Sequence, residues 1–359
     1  MGRTQASGLD LRVLGTGMCC AVGWTAKAAR AAIRAGLDRF GESEFHDARG
    51  EPVIVARLPI GDVWGARRLA MMFEAAVTEA ASAVESLDPA KTALVLIVAE
   101  KGRPGYSDEW ARDCFRACES RFARPFHPES RILPLGRAGI AHALRDAREL
   151  LLTGLKHVII AGVDSYLNAH SMNHFLRRRR VLASDSDDGF IPGEGAGAFV
   201  LTTGTGAGLH IRGLGIADEA ATIDNDLPAR ASGLTTAMRA ALGESGYGMS
   251  ELDFRMADIA GESFFFREAG HAVTRAFDRP RPHFPLLHIT DSVGETGAAI
   301  GPLSIAYLSD AMARGHVPGA RALLHFQNDG SARAALVVEH TTAAQGTEPS
   351  RSRAAESTP

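Results

Sequence analysis

The sequence predicts an α/β fold made of two similar halves. Short apolar runs alternate with helix-length segments whose apolar residues recur every three or four positions, a pattern typical of α/β proteins. A glycine-rich break at residues 204–208 (GTGAG) interrupts this order, and a similar order then begins again. Two apolar runs flank Asn-Asp-Gly at residues 328–330, which predicts a β-hairpin.

The elements of the first half follow from their apolar patterns. Residues 92–100 (TALVLIVAE) are β-branched without polar alternation, which predicts a strand covered on both faces. Residues 66–87 carry an apolar stripe at helical spacing, so one face should pack on a core. Residues 138–153 predict another helix, which Gly154 would terminate. Further strands are predicted at residues 11–23, 52–58, 155–165 and 195–203, and a further helix at 25–37.

The second half repeats this order. Residues 209–220 resemble residues 11–23, since each segment reads as a strand that ends in spaced glycines. A glycine-led helix is predicted at residues 297–314. Further strands are predicted at residues 255–260 and 285–290, and further helices at 231–242 and 264–277. The repeated order implies a duplicated fold whose halves pack together.

Composition excludes several classes of protein. The 359 residues are 45% hydrophobic and 23% charged with a formal net charge of −3, which is unlike collagen-like or disordered chains and gives no reason to expect nucleic acid or a membrane surface. No apolar run approaches the roughly 20 residues that span a bilayer, and the N-terminal residues lack the apolar core of a signal peptide. Four cysteines are too few for a disulfide framework, so a reducing cytoplasm is expected. Residues 341–359 contain no large apolar residue and should form a disordered tail.

Four segments, in order, resemble the β-ketoacyl synthases of the thiolase superfamily. They are GTGMCCAVG (15–23), HVIIAGVDSYL (157–167), DDGFIPGEGAGAFVLT (187–202) and GETGAAIG (294–301). The resemblance spans residues 11–340. It implies a thiolase-like fold with mixed five-stranded sheets in a layered αβαβα arrangement, an N-terminal half over residues 1–205 and a C-terminal half over residues 206–340.

The same resemblance implies where catalytic residues would lie. Enzymes of that family use a cysteine thiolate to carry the acyl chain and two histidines to stabilise an oxyanion. The nucleophile position corresponds to Gly136 or Arg137, neither of which can form a thioester. The two histidine positions correspond to Ala260 and Glu295. The sequence therefore predicts that the catalytic triad is missing.

Charged residues leave a different chemistry open at the same place. The resemblance brings five of them towards one pocket: Arg137, Glu262, Asp291, Glu295 and Asp329. Glu262 or Glu295 could act as a general base, whereas a buried ion-pair network would preserve packing without turnover. The sequence has no Cys/His metal motif and no dinucleotide fingerprint, so neither a metal nor a cofactor is expected.

The arginine run at residues 177–180 is the most concentrated charge in the sequence. Ketosynthases carry a gating aromatic and a basic residue near this position, where an acidic acyl carrier protein docks. The resemblance implies a gate at Phe175 or Leu176 and a docking residue at Arg179 or Arg180. The alternative is a solvated helix end, where cations favour the helix dipole.

The predicted function is that of a non-catalytic ketosynthase-like protein. It would be a partner-binding or accessory subunit, similar to a chain-length factor or to a chaperone or adaptor for another protein such as a secreted effector. The expected partners are a second copy or another ketosynthase-like chain in a dimer, and an acyl carrier protein. The alternative is an active acyltransferase, or a 3-oxoacyl-carrier-protein synthase type of enzyme, with an unusual active site.

Overall fold

Ten strands form one continuous mixed sheet in the computed structural model, which describes residues 10–342. The strands of this part of the chain are β1 Leu11–Cys20, β2 Phe40–His46, β3 Pro52–Ala56, β4 Thr92–Val98, β5 Arg131–Pro134, β6 His157–Ser165, β7 Glu194–Thr203, β8 Gly208–Asp218, β9 Phe254–Ala257, β10 Leu286–Leu287, β11 Arg321–Gln327 and β12 Ala332–Thr341. Its helices are α1 Ala26–Arg34, α2 Gly65–Ser82, α3 Asp108–Glu119, α4 Gly139–Leu152, α5 Ala169–Arg177, α6 Ser232–Ser245, α7 Ser263–Ala276, α8 Thr290–Val293 and α9 Ile300–Ala313. Short 3-10 turns lie at Pro89–Lys91, Met249–Glu251 and Gly297–Ala299.

The sheet consists of two five-stranded parts joined edge to edge. Its strand order is β10-β9-β11-β12-β8-β1-β7-β6-β4-β5, so each part comes from one half of the chain. Each part mixes parallel pairs, such as β4 with β6 and β9 with β11, with antiparallel pairs. The parts meet where β1 pairs with β8 through Leu11–Ile211 and Arg12–His210. This arrangement confirms the predicted mixed sheets.

Helices lie in three layers around the two parts of the sheet. The central helix α4 contacts β4 and β6 of the first part and β8 and β12 of the second, and α9 likewise touches strands of both. The outer helix α2 covers β1 and β7, while α6 covers β8 and β12 on the other side. The order of layers is therefore αβαβα, as predicted. No helix within residues 10–342 is long and apolar enough to span a bilayer.

Close helix–strand contact explains why β1 and β8 both contain spaced glycines. A Cβ atom added at Gly17 of β1 would lie 2.0 Å from the carbonyl oxygen of Ala76 in α2. A Cβ added at Gly215 of β8 would lie 1.8 Å from the carbonyl oxygen of Ala237 in α6. Real Cβ atoms do not approach a backbone oxygen this closely, so only glycine lets the outer helices lie directly on these strands.

Replacing Gly215 by alanine should therefore destabilise the protein. Separating α6 from β8 to admit one methyl group is expected to lower the free energy of unfolding by about 1–3 kcal/mol. Gly243 provides a matched control on α6, because its added Cβ meets no atom within 4 Å. Gly243→Ala should instead stabilise the helix by about 0.5–1 kcal/mol. Urea unfolding measures both variants, and equal effects would contradict the proposed close contact.

Several elements differ from the sequence prediction. Strands β2 and β5 are not among the predicted elements: β2 is largely polar and exposed, and β5 has only four residues. The strand predicted at residues 285–290 is reduced to the two residues of β10, after a proline-rich segment. The tail is predicted from residue 341, but Thr341 is the last residue of β12. Residues 343–359 of that predicted tail lie outside the described residues.

Candidate functional site

The turn before α4 places Arg137 in the interior. Gly136 has a φ of +61°, and a Cβ there would lie 2.2 Å from Cδ of Glu100, so glycine is required at this bend. The backbone N–H of Ala138 donates to Oδ1 of Asn328 at 2.8 Å, which ties the head of α4 to the β11–β12 turn. Arg137 itself is only 4% exposed. A long cation is thus held at the buried head of a central helix.

Three carboxylates surround the guanidinium of Arg137. Its NH1 group donates to Glu295 at 2.9 Å and its NH2 group donates to Asp329 at 2.7 Å. Asp258, which follows β9, lies 3.7 Å from Nε. The ring of Phe265 in α7 lies 4.9 Å from the centre of the guanidinium and closes another side. Protein groups therefore contact the Arg137 guanidinium at both of its NH2 groups, near Nε and on one face.

A second arginine extends this arrangement. Arg180 donates to both oxygens of Glu262, at 2.6 Å and 2.9 Å, and to both oxygens of Asp329. Asp329 thus bridges Arg180 and Arg137. We call this group of six the central charge cluster: Arg137, Arg180, Asp258, Glu262, Glu295 and Asp329. Its members come from both halves of the chain, so the cluster fixes the two halves to each other.

The structure brings together most, but not all, of the predicted site residues. Asp291 is 79% exposed at its side chain and pairs with His288, so it lies away from the cluster. Ala260, at an implied histidine position, packs instead against the aromatic core around Phe175. Asp258 also belongs to the cluster, although the sequence does not single it out as a site residue. Its position directly after a strand in the segment that carries Ala260 and Glu262 was the available indication.

The predicted gate and docking residues separate into buried and exposed groups. Phe175 is 2% exposed, and its ring centre lies 5.1 Å from the Arg180 guanidinium. Leu176 is half-buried. Arg180, predicted as one of two docking residues, is 7% exposed because Glu262 and Asp329 hold it inside, so it cannot meet a partner on the surface. Arg179 is exposed and donates to the carbonyl oxygen of Asp185.

Two further buried ion pairs adjoin the ends of β6 and β7, and neither is predicted from the sequence. Arg103 pairs with Asp164, whose Oδ2 also accepts from the N–H of Ala298 at 2.9 Å. Arg68 pairs with Glu194, which is 0% exposed. Both acids lie at strand ends within apolar runs, where an unpaired carboxylate would be costly. The position of these acids in the sequence indicates that each needs a buried cation. It does not identify the arginine partners, because they are remote in sequence.

Burial controls the protonation of the central charge cluster. Four carboxylates face two guanidiniums, so full ionisation would leave excess negative charge in the interior. Loss of hydration raises the pKa of Glu295 to about 7 and that of Asp258 to about 6, despite the nearby Arg137. Burial opposes ionisation of Asp329 as well, but Arg137 and Arg180 hold its pKa well below the ordinary value. The cluster therefore keeps Asp329 charged and takes up protons at Glu295 and Asp258 as the pH falls.

These shifts predict how stability depends on pH. Glu295 and Asp258 bind protons more tightly in the folded chain than in the unfolded chain. Their contribution to the free energy of unfolding is therefore full below the ordinary carboxyl pKa and falls as the pH rises towards about 7. Glu295→Gln removes one of these two proton-binding groups. It should reduce the decline in unfolding free energy between about pH 5 and pH 7 by up to about 1.4 kcal/mol per pH unit.

Urea unfolding at several pH values measures this effect. Glu129→Gln is the control, because the Glu129 side chain is 60% exposed and pairs only at the surface with Arg131. It should leave the pH dependence unchanged. An unchanged slope in Glu295→Gln would show that Glu295 is ionised throughout this range.

The four cysteines of the chain belong to β1 and α3, not to α4 or the turn before it. Cys19 and Cys20 are buried in β1, and Cys114 and Cys118 are buried in α3. Burial raises the pKa of Cys20 to about 11 and that of Cys114 to about 12, so both remain thiols at neutral pH. No group of three or more His, Cys, Asp or Glu side chains within residues 10–342 is arranged to hold a metal ion.

Comparison with known proteins places this architecture among ketosynthases. No model of a known protein family matches the sequence. A stretch of 187 residues is 29% identical to "Actinorhodin polyketide putative beta-ketoacyl synthase 2" of Streptomyces coelicolor. The alignment covers 47% of this chain and 45% of that protein, so it spans less than half of this curated relative.

Solved structures match nearly the whole chain. A type II PKS acyl-carrier protein in complex with its ketosynthase bound to the hexaketide gives a TM-score of 0.76 at 13% identity, covering 94% of this chain and 100% of that one. The ishigamide ketosynthase/chain length factor gives 0.67 at 19% identity, covering 92% and 99%. A beta-ketoacyl synthase from Burkholderia phymatum gives 0.69 at 14% identity, covering 93% and 100%. The chain therefore has a thiolase-like fold that matches the folds of ketosynthases.

Proposed function

We propose that this ketosynthase-like protein is a non-catalytic partner subunit, comparable to a chain-length factor. One observation carries the proposal: Arg137 occupies the head of α4, and Glu295, Asp329 and Asp258 enclose its guanidinium. The resemblance assigns the acylated nucleophile to Gly136 or Arg137. A guanidinium stays protonated and cannot form a thioester. An acyl chain therefore has no point of attachment there.

The charge cluster supports the same proposal through what it does for the fold. The two implied histidine positions are filled by Ala260, which packs in an apolar core, and by Glu295, which accepts from Arg137 and from the N–H of Gly297. Each group is engaged in holding neighbouring segments together. The network links α4, α7 and the β11–β12 turn through ion pairs and hydrogen bonds. We infer that this network stands in the place of a catalytic centre and stabilises the packing of the segments around it.

Partner binding is then the remaining role of the fold. Of the similar structures, one is a ketosynthase/chain length factor and another is an acyl-carrier protein in complex with its ketosynthase. We propose the same two kinds of partner here: a second ketosynthase-like chain and an acyl carrier protein. Exposed Arg179 at the end of α5 is the proposed carrier contact, since Arg180 is buried in the cluster.

Incubation with an acyl thioester tests the absence of covalent chemistry. The purified protein, mixed with acyl-coenzyme A or an acylated carrier protein, should show no mass increase from acylation and no thioester hydrolysis above the buffer rate. An active ketosynthase treated in parallel gives the positive control. Native mass spectra of the same mixtures should show a non-covalent complex with the carrier protein, which Arg179→Glu should weaken. A covalent acyl adduct on this chain would overturn the proposal.

A second candidate function rests on Glu295. Its pKa of about 7 is suited to general acid–base chemistry near neutral pH, so an acyltransferase or hydrolase with a carboxylate base is the alternative. Glu295 is 1% exposed, so substrate would need an opening of the cluster. Thioester hydrolysis that disappears in Glu295→Gln or Glu262→Gln would support this enzyme over the partner subunit.

A further inference from the structure

A buried histidine lies where the two parts of the sheet join. The join between β1 and β8 consists of two residue pairs, Leu11–Ile211 and Arg12–His210. His210 is 0% exposed, although imidazole is the side chain that ordinarily changes its charge between about pH 5 and pH 8. A titratable ring is therefore built into the short strand pairing that connects the halves.

Both nitrogens of the His210 ring face oxygen atoms that can only accept a hydrogen bond. Nδ1 lies 2.8 Å from Oδ1 of Asp10, and Nε2 lies 2.7 Å from the carbonyl oxygen of Gly206. Neutral imidazole carries one N–H group, whereas the imidazolium carries two. Neutral His210 would therefore leave a ring nitrogen and an oxygen facing each other as two buried acceptors, which is costly.

The Asp10 carboxylate is ionised, so it supplies no proton to the ring. Burial would raise the pKa of Asp10, but the hydrogen bond from His210 and the charge of Arg212 hold that pKa below its ordinary value. The second carboxylate oxygen lies 2.8 Å from NH1 of Arg212. The carbonyl oxygen of Gly206 has no proton to give. The geometry therefore requires that both protons be carried by the ring.

Other charged or titratable groups surround His210 and its partners. They are Arg12 on β1, Arg212 on β8, Glu339 and His340 on β12, and Tyr247 after α6. Arg12 and Glu339 lie beside His210 on the two neighbouring strands, and their charges have opposite sign. Burial and the charge of His210 lower the pKa of His340, so His340 is mostly neutral at neutral pH. Asp10 is thus the ionised group that the ring contacts directly.

The hydrogen bonds of His210 connect two segments that are far apart in sequence. Gly206 belongs to the glycine-rich residues 204–208 between β7 and β8, and Asp10 directly precedes β1. The N–H of Gly204 also donates to the carbonyl oxygen of Asp10, at 3.1 Å. Loss of one proton from His210 removes one of these hydrogen bonds, so residues 204–208 are then held less firmly.

We propose that His210 forms a pH-sensitive bridge between the two halves of the fold. As an imidazolium, the ring donates to Asp10 and to Gly206. As the pH rises, one ring proton passes to water, the bridge opens and residues 204–208 loosen. The proposal does not depend on whether the central charge cluster is catalytic or on which partner the protein binds.

NMR of the full chain labelled with 15N-histidine tests the protonation state. Two-bond proton–nitrogen spectra distinguish a ring nitrogen that carries hydrogen from one that does not, and the signals absent from His210→Gln identify this ring. At about pH 7, where an ordinary histidine is mostly neutral, both His210 nitrogens should carry hydrogen. Asp10→Asn keeps an acceptor without the charge, so one nitrogen should then lack hydrogen at that pH. A bare nitrogen in the unaltered protein at about pH 7 would overturn the proposal.

Amide hydrogen exchange tests whether the bridge holds residues 204–208. Between about pH 6 and pH 9, their protection relative to that of β4, corrected for intrinsic rates, should fall at least about tenfold. His210→Gln cannot change its charge, so its protection should be independent of pH. His157→Gln is the control and should behave as the unaltered protein does, because burial and Lys156 lower the pKa of His157 in β6. The same pH dependence in His210→Gln as in the unaltered protein would contradict the role of the bridge.

Discussion

Replacement of Arg137 by methionine is expected to lower the free energy of unfolding by about 3–5 kcal/mol. The substitution removes one cation and leaves Glu295, Asp258 and Asp329 with less compensation for their burial. Methionine fills a similar volume, so the loss reports mainly on charge and hydrogen bonding rather than on a cavity. Urea unfolding followed by circular dichroism measures it.

The pH dependence of that loss separates the electrostatic explanation from a packing explanation. At about pH 5, the buried carboxylates of the variant can take up protons and become neutral, so the loss should be smaller than at about pH 8. Arg121→Met is the control, since Arg121 is 68% exposed and pairs with Glu74 at the surface. It should cost no more than about 1 kcal/mol at either pH. A loss in Arg137→Met that matches this control would contradict the role assigned to the cluster.

The second large effect is expected at Arg333 of β12, which is 0% exposed. Its guanidinium binds both oxygens of Glu268 in α7, at 2.7 Å and 3.1 Å. Its NH1 group also donates to the carbonyl oxygens of Asn328, Gly330 and Ala332, which close the β11–β12 turn. Arg333→Met should therefore cost about 3–5 kcal/mol, because it leaves a buried carboxylate unpaired and releases the turn.

A double variant identifies the origin of that cost. Arg333→Met combined with Glu268→Leu removes both charges, so the double variant should be more stable than Arg333→Met alone. The carbonyl oxygens of the turn stay without their donor, so recovery should be partial. Amide hydrogen exchange of residues 328–331 should be faster in both variants than in the unaltered protein. A double variant less stable than Arg333→Met would show that the pair is not coupled in this way.

The fold was predictable because its evidence is local. The apolar run of β4 and the helical stripe of α2 report burial directly, and the repeated order of segments predicts two similar halves. The short strand β5 and the two-residue β10 could not be predicted, because such lengths carry no periodicity. They form strands only because a neighbouring strand supplies their hydrogen bonds.

The site was predictable only in part. The family resemblance identified Arg137, Glu262, Glu295 and Asp329 as residues of one region, and the structure brings all four together. It could not show that Asp329 bridges two arginines, because that contact joins residues 149 and 192 positions apart. Asp258 was missed for the same reason.

By itself, the sequence determined the succession of strands and helices and which residue types precede α4, since periodicity and residue type are properties of the chain alone. Only the tertiary structure decided which charges are paired. It turned Arg180 inward to Glu262 and Asp329, left Arg179 at the surface, and placed Arg103 beside Asp164. The physical reason is that an ion pair depends on distance and burial in space, and both arise only when segments remote in sequence pack against each other.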